Sequence, residues 1–118
     1  MPFSLIYADD DDLVREVLVQ ALTEEGLVVH ACANGAEALV LCGELDPNAV
    51  LLDLNMPRLD GLEAAKTLSR TSSTRPRLVA LTGRGTPEMR RKAIAAGFDA
   101  FLVKPSSVPA ILEALGYR

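Results

Sequence analysis

Five polar side chains stand at the ends of apolar runs in this 118-residue chain: Asp9 and Asp10 follow "FSLIYA", Asp53 closes "AVLLD", Thr82 closes "RLVALT", and Lys104 follows "AFLV". Each has an ordinary explanation alone. An acidic run such as "DDDD" at 9–12 suits a helix start, where the macrodipole favours negative charge. Aspartate and threonine commonly shape turns, and a lysine is normally solvated. Together they describe chemistry. An ionised carboxylate at the edge of an apolar interior is costly unless a cation, a metal or hydrogen bonds compensate it. Asp9, Asp10 and Asp53 would repel one another if they met, so the group needs a hard divalent cation; Mg2+ suits one or two carboxylates, retained waters and a phosphate oxygen. Lys104 and the Thr82 hydroxyl add donors for an anion. The set fits an acyl phosphate formed on Asp53 as the nucleophile.

These side chains can meet only if the elements carrying them run the same way. The apolar segments at 3–8, 27–32, 49–53, 77–82 and 100–103 are continuous rather than alternating, as expected of parallel strands covered on both faces. Helix-patterned stretches at 13–26, 36–45, 62–70 and 87–97 lie between them, and a fifth follows at 108–116. Gly26 and Gly97 stand where left-handed caps are expected, and Pro87 where a first-turn proline is tolerated. The reading is a βα repeat, a doubly wound α/β fold in a single domain over 1–118. In such open sheets the site lies beyond the carboxyl ends of the strands, where strand order reverses.

Composition narrows the function classes. With 49% hydrophobic and 24% charged residues the chain is globular rather than disordered. No apolar run approaches the about 20 residues of a membrane span, and no basic region precedes the first apolar stretch, so neither an anchor nor a signal peptide is expected. A net charge of −4 and a pI near 4.9 weigh against direct nucleic-acid binding. Cys32 and Cys42 lack metal-ligand spacing, and one histidine cannot complete a zinc site. Both are expected to be free buried thiols, in keeping with a cytoplasmic location. "DLNMPRLDGLEA" fails as a calcium loop, with Pro57 at its fifth position and Arg58 at the sixth, where the turn wants glycine. "TGRGTPE" lacks the lysine and spacing of a P-loop.

Four stretches in order resemble the receiver domain of two-component response regulators: "ADDDDLVREVL" with its acidic pair, "LLDLNMPRLDG" with the phosphoacceptor strand and turn, "ALTG" with the switch hydroxyl, and "AGFDAFLVKP" with an aromatic and the lysine-proline close. The resemblance covers essentially the whole chain. It implies a CheY-like, flavodoxin-like (βα)5 fold with strand order 2-1-3-4-5, and Asp53 as acceptor of a phosphoryl group from a histidine kinase or histidine phosphotransfer protein. It further implies that Asp10 ligates Mg2+ directly, Asp9 through water and Asn55 through its main-chain carbonyl, and that Lys104 binds a phosphoryl oxygen. Thr82 would move toward that oxygen, and Phe101 would fill the space left behind; as a phenylalanine it lacks the phenol of some relatives. Pro105 would follow a cis peptide bond, and Asp11 and Asp12 fall outside the acidic pair as cap and first-turn residues. A domain of this kind is a signalling phosphoacceptor rather than an enzyme, assisting its own phosphorylation and dephosphorylation and controlling a downstream protein or output domain.

The first helix carries a second pattern. Val14, Val17 and Ala21 recur along one line, with Leu18 and Leu22 on an adjacent one. Leu18 and Leu22 are expected to cover the sheet, leaving Val14 and Val17 near the mouth of the site; by resemblance, that is where a histidine-bearing helical bundle docks. Two rivals remain. A degenerate receiver would keep the fold as a binding module only, but its usual sign is a missing acidic-pair residue, phosphoacceptor or lysine. A haloacid-dehalogenase-like phosphohydrolase wants an aspartate where this chain has Asn55, and usually a cap domain.

Overall fold

Helices and strands alternate strictly along the computed structural model, which describes residues 2–56, 60–71 and 75–117. Strand β1 (Ser4–Ala8) is followed by α1 (Asp12–Glu24), β2 (Val28–Cys32), α2 (Gly35–Leu45), β3 (Ala49–Asp53), α3 (Gly61–Thr71), β4 (Arg77–Thr82), α4 (Pro87–Ala96), β5 (Ala100–Val103) and α5 (Val108–Leu115). Every pairing is parallel and the strand order is 2-1-3-4-5. The expected fold is the observed one. Pro57 to Leu59, in the middle of "LLDLNMPRLDG", lie outside the described residues.

The helices end where local chemistry ends them. Asp11 caps α1 by accepting the Val14 N–H, with Asp12 in the first turn, as expected of the two acids outside the pair. Asn34, Thr86 and Ser107 cap α2, α4 and α5 in the same way. Gly97, closing α4 at φ +105°, adopts the left-handed conformation that glycine reaches without steric cost.

Two apolar layers sandwich the sheet. On one face Ile6, Val50, Leu52, Leu78 and Ala80 pack with Ala64, Ala65 and Leu68 of α3 and Ala93 and Ala96 of α4. On the other, Leu5, Tyr7, Leu51, Val79 and Leu81 pack with Leu22 of α1 and Ile111 and Leu115 of α5. Strand β3 is buried along its whole length, which explains its unbroken apolar run. Leu22 is fully buried and Leu18 packs against the same cluster, so both cover the sheet as their helical positions indicated. Cys32 is buried, whereas Cys42 is only half-buried; both thiols are free, and burial pushes each up to about 11. Neither is a thiolate at neutral pH.

Candidate functional site

Order 2-1-3-4-5 reverses direction between β1 and β3, and Asp9, Asp10 and Asp53 stand at the carboxyl ends of those two strands. Carboxylate oxygens of the three lie within 4.8 Å of one another. Asp9 is fully buried, Asp53 is 5% exposed, and Asp10 is exposed. Such a trio is a suitable donor set for a hard divalent cation, because oxygen ligands of like charge crowd together favourably only around a cation.

Lys104 enters from the far edge of the sheet. Its ammonium donates to Asp9 Oδ2 at 3.0 Å and to Asp53 Oδ2 at 3.2 Å, spanning both strand ends. Asp53 Oδ1 accepts the Asn55 N–H at 3.1 Å. Asp9 is more heavily served: its Oδ1 accepts the Asp11 N–H at 2.9 Å, its Oδ2 accepts the Tyr7 hydroxyl at 2.8 Å, and its main-chain carbonyl accepts Arg15 Nη1 at 2.6 Å. What compensates the charge that ends the buried strand is therefore one ammonium shared with Asp9 and one backbone N–H.

The two carboxyls respond oppositely to this setting. Burial raises the pKa of Asp53, the nearby Asp9 charge raises it further, and Lys104 with the Asn55 N–H offsets only part of that. Burial also pushes Asp9 upward, but the Asp11 N–H, the Tyr7 hydroxyl and Lys104 outweigh it, and its pKa falls below the usual carboxylate value. For Lys104, burial favours the neutral amine, yet the hydrogen bond to Asp9 and the Asp53 charge prevail and raise its pKa. Tyr7 is held far above the ordinary phenol value, by burial first and then by Asp9, so it stays a donor.

Thr82 closes β4 fully buried, its hydroxyl oxygen accepting the Arg84 N–H at 3.1 Å, while its carbonyl accepts the Lys104 N–H at 2.7 Å. The Lys104–Pro105 bond is cis, as the resemblance implied. Phe101 is half-buried against the α3–α4 layer, and the Arg90 guanidinium covers its ring at 4.8 Å from the centroid. Val14 and Val17 line a groove of about 310 Å³ that also touches Lys104 and Pro105, so this line of α1 does reach the mouth of the site. Val17 is 64% exposed, and Leu13, which the helical pattern left unassigned, is 73% exposed beside it.

Two residues absent from the sequence-based candidates matter to the geometry. Tyr7 stands inside the apolar run "FSLIYA", yet residues two apart on a strand share a face, so its alignment with Asp9 was open to inference. Gly61 begins α3 so close to β3 that a Cβ there would lie 2.5 Å from the Asp53 carbonyl oxygen.

Sheet order and the side chains at its switch point place the molecule among doubly wound α/β domains of the receiver kind. The chain belongs to the response regulator receiver domain family, whose model matches residues 5–116. It is 41% identical over 112 residues to response regulator MprA of Mycobacterium sp. (strain KMS), an alignment that covers 95% of this chain and 48% of that protein, so the chain spans about half the length of that relative. Among solved structures it resembles the chemotaxis protein CheY4 of Vibrio cholerae, with TM-score 0.90 and 27% identity over 98% of both chains. It also resembles a response regulator from Burkholderia pseudomallei determined with a phosphorylated aspartic acid, calcium ion and citrate, with TM-score 0.87 and 28% identity over 96% of this chain and 66% of that one. Among the described residues no helix is long and apolar enough to cross a membrane.

Proposed function

We propose that this receiver domain accepts a phosphoryl group on Asp53 from a histidine of a kinase or phosphotransfer protein and transmits its presence through Thr82 and Phe101. The observation that carries the reading is the Lys104 ammonium set between Asp9 and Asp53 beside the exposed Asp10. In the transfer, a carboxylate oxygen of Asp53 forms a bond to phosphorus as the phosphorus–nitrogen bond to the donor imidazole breaks, with the bonding pair leaving on nitrogen. Lys104 exchanges a carboxylate partner for a phosphoryl oxygen. Positioning and charge neutralisation are the protein's contribution.

Asp10, Asp53 and the Asn55 carbonyl would hold Mg2+ directly, and Asp9 through water. When bound, the ion neutralises carboxylate and phosphoryl charge at the moment of transfer. The test is incubation with a small phosphodonor with and without Mg2+, read by intact mass; an adduct that forms equally well in chelator would overturn the metal's part. Asp10→Ala is expected to weaken Mg2+ binding at least about tenfold, a loss of about 1.4 kcal/mol, while Asp12→Ala changes it little because Asp12 is an exposed first-turn residue paired with Arg15. A larger effect from Asp12→Ala would mean that the acidic pair is shifted in register.

A ligand moves a conformational equilibrium only by its differential affinity for the two states. Here the difference would come from the Thr82 hydroxyl leaving the Arg84 N–H for a phosphoryl oxygen. Phe101 then turns inward from beneath Arg90, rearranging α4, β5 and α5, the surface offered to a downstream partner. Amide exchange after phosphorylation is expected to change around Phe101 and Arg90; change confined to residues near Asp53 would contradict the switch.

The donor would dock on α1. Leu13, Val14 and Val17 give an apolar rim beside Lys104, suited to a transient contact with a helical partner. Val14→Lys is expected to slow transfer from the cognate histidine protein about tenfold, the scale of one central interface residue, while small-molecule phosphorylation continues. Equal rates from the histidine protein would remove Val14 from the interface.

A further inference from the structure

Tyr7 lies in the middle of an apolar strand, fully buried among Leu5, Leu51 and Leu81 on the α1–α5 face. Its hydroxyl reaches along β1 to Asp9 Oδ2 at 2.8 Å, and that same oxygen accepts Lys104 Nζ at 3.0 Å. Two donors therefore serve one buried oxygen, and one of them is the lysine that also holds Asp53.

We infer that Tyr7 is a positioning residue whose hydroxyl keeps Asp9 satisfied when Lys104 moves to the phosphoryl group; the inference rests on the reading of Asp53 as phosphoacceptor. A buried carboxylate oxygen stripped of its donor carries the full desolvation penalty of that group. Without the phenol, Lys104 is the one side-chain donor left to Asp9 Oδ2 among the described residues, because the Asp11 N–H serves the other oxygen. The lysine is then held back on Asp9 at the moment the incoming phosphoryl oxygens need it. Tyr7 itself forms no bond and transfers no proton; it lowers the cost of moving the ammonium. A tyrosine that merely filled core would alter stability alone, whereas one that releases Lys104 acts only when Lys104 is present.

The test compares the full chain, Tyr7→Phe, Lys104→Ala and the double variant, each confirmed as folded by its melting transition. Phosphoramidate labelling at saturating Mg2+ is followed by intact mass. Tyr7→Phe is expected to slow labelling about five- to tenfold, the scale of one ordinary hydrogen bond, and to have little effect in the Lys104→Ala background. A second readout needs neither metal nor donor. The Lys104 ammonium resonance in Tyr7→Phe should exchange with water more slowly than in the wild type, because Asp9 grips it harder. If the wild type takes no label, the Asp53 reading falls and this inference with it. If the wild type labels and Tyr7→Phe labels as fast, or the penalty is the same in both backgrounds, or the lysine exchange is unchanged, only the role of Tyr7 is overturned.

Discussion

Asp53→Asn is expected to abolish the base-labile, Mg2+-dependent phosphoryl adduct while leaving the fold intact. The amide keeps the shape of the carboxylate but loses the anionic oxygen that attacks phosphorus. Its single carbonyl oxygen can accept from Lys104 or from the Asn55 N–H, the two donors that Asp53 now serves with separate oxygens. Stability should hold or rise. Asp53 has a raised pKa in the folded chain, from burial and from the neighbouring Asp9 charge, so its ionisation opposes folding. That penalty is absent in acid, where the group is protonated in both states, and grows as pH rises through the ordinary carboxylate range to the folded pKa. Removing the carboxyl removes the penalty, so the variant's melting temperature relative to wild type should improve from acidic to neutral pH. Equal labelling of variant and wild type would move the phosphoacceptor elsewhere, and a collapsed melting transition would show that the carboxylate is structural.

Gly61→Ala should be the most damaging small substitution near the site. The added methyl would lie 2.5 Å from the Asp53 carbonyl oxygen and 3.1 Å from the Leu54 Cα, both backbone atoms that cannot swing aside. Asp60 anchors the same turn of helix by accepting the Glu63 N–H at 3.0 Å, so α3 must retreat from β3 as a body or the strand end must shift. Overpacking of this kind costs about 1–3 kcal/mol, which in a domain of this size lowers Tm by roughly 4–12 °C. Because the displaced strand end carries Asp53, labelling should slow as well. Gly43→Ala is the internal contrast: nothing lies within 4 Å of its added methyl, in the interior of α2. Alanine there should stabilise by about 0.5–1 kcal/mol through helix propensity. Opposite signs would separate the close approach at Gly61 from glycine's general cost in a helix; destabilisation of similar size at both positions would refute the steric account.

The strands were legible because buried parallel strands must be apolar throughout, and β1, β3 and β4 are buried along nearly their whole lengths. The caps at Asp11 and Gly97 were legible because they answer to local backbone needs. Asp9, Asp10, Asp53, Thr82 and Lys104 could be brought together from sequence because parallel strands put all their carboxyl ends on one side. What escaped depended on distances between elements. Gly61 reads as the end of a turn until α3 is packed on β3. Arg90 reads as a solvated helix residue until α4 lies over Phe101. Tyr7 was hidden differently: its ring belongs to the core and only its last atom belongs to the site.

The ammonium of Lys104 reaches Asp9 across 95 positions of sequence and Asp53 across 51. No partly folded segment can assemble those contacts, because the first strand, the middle strand and the last must all be docked before the three side chains meet. Fraying of β5 alone, a local opening that leaves the rest of the sheet paired, would remove the lysine from the site. A phosphoryl group held by Asp53 and Lys104 together is bound by the completed fold only, so by mass action that contact stabilises the whole domain rather than one region of it. The phosphoryl group would in effect be offered only to finished molecules, and chains caught part-way through folding or unfolding would be silent in signalling.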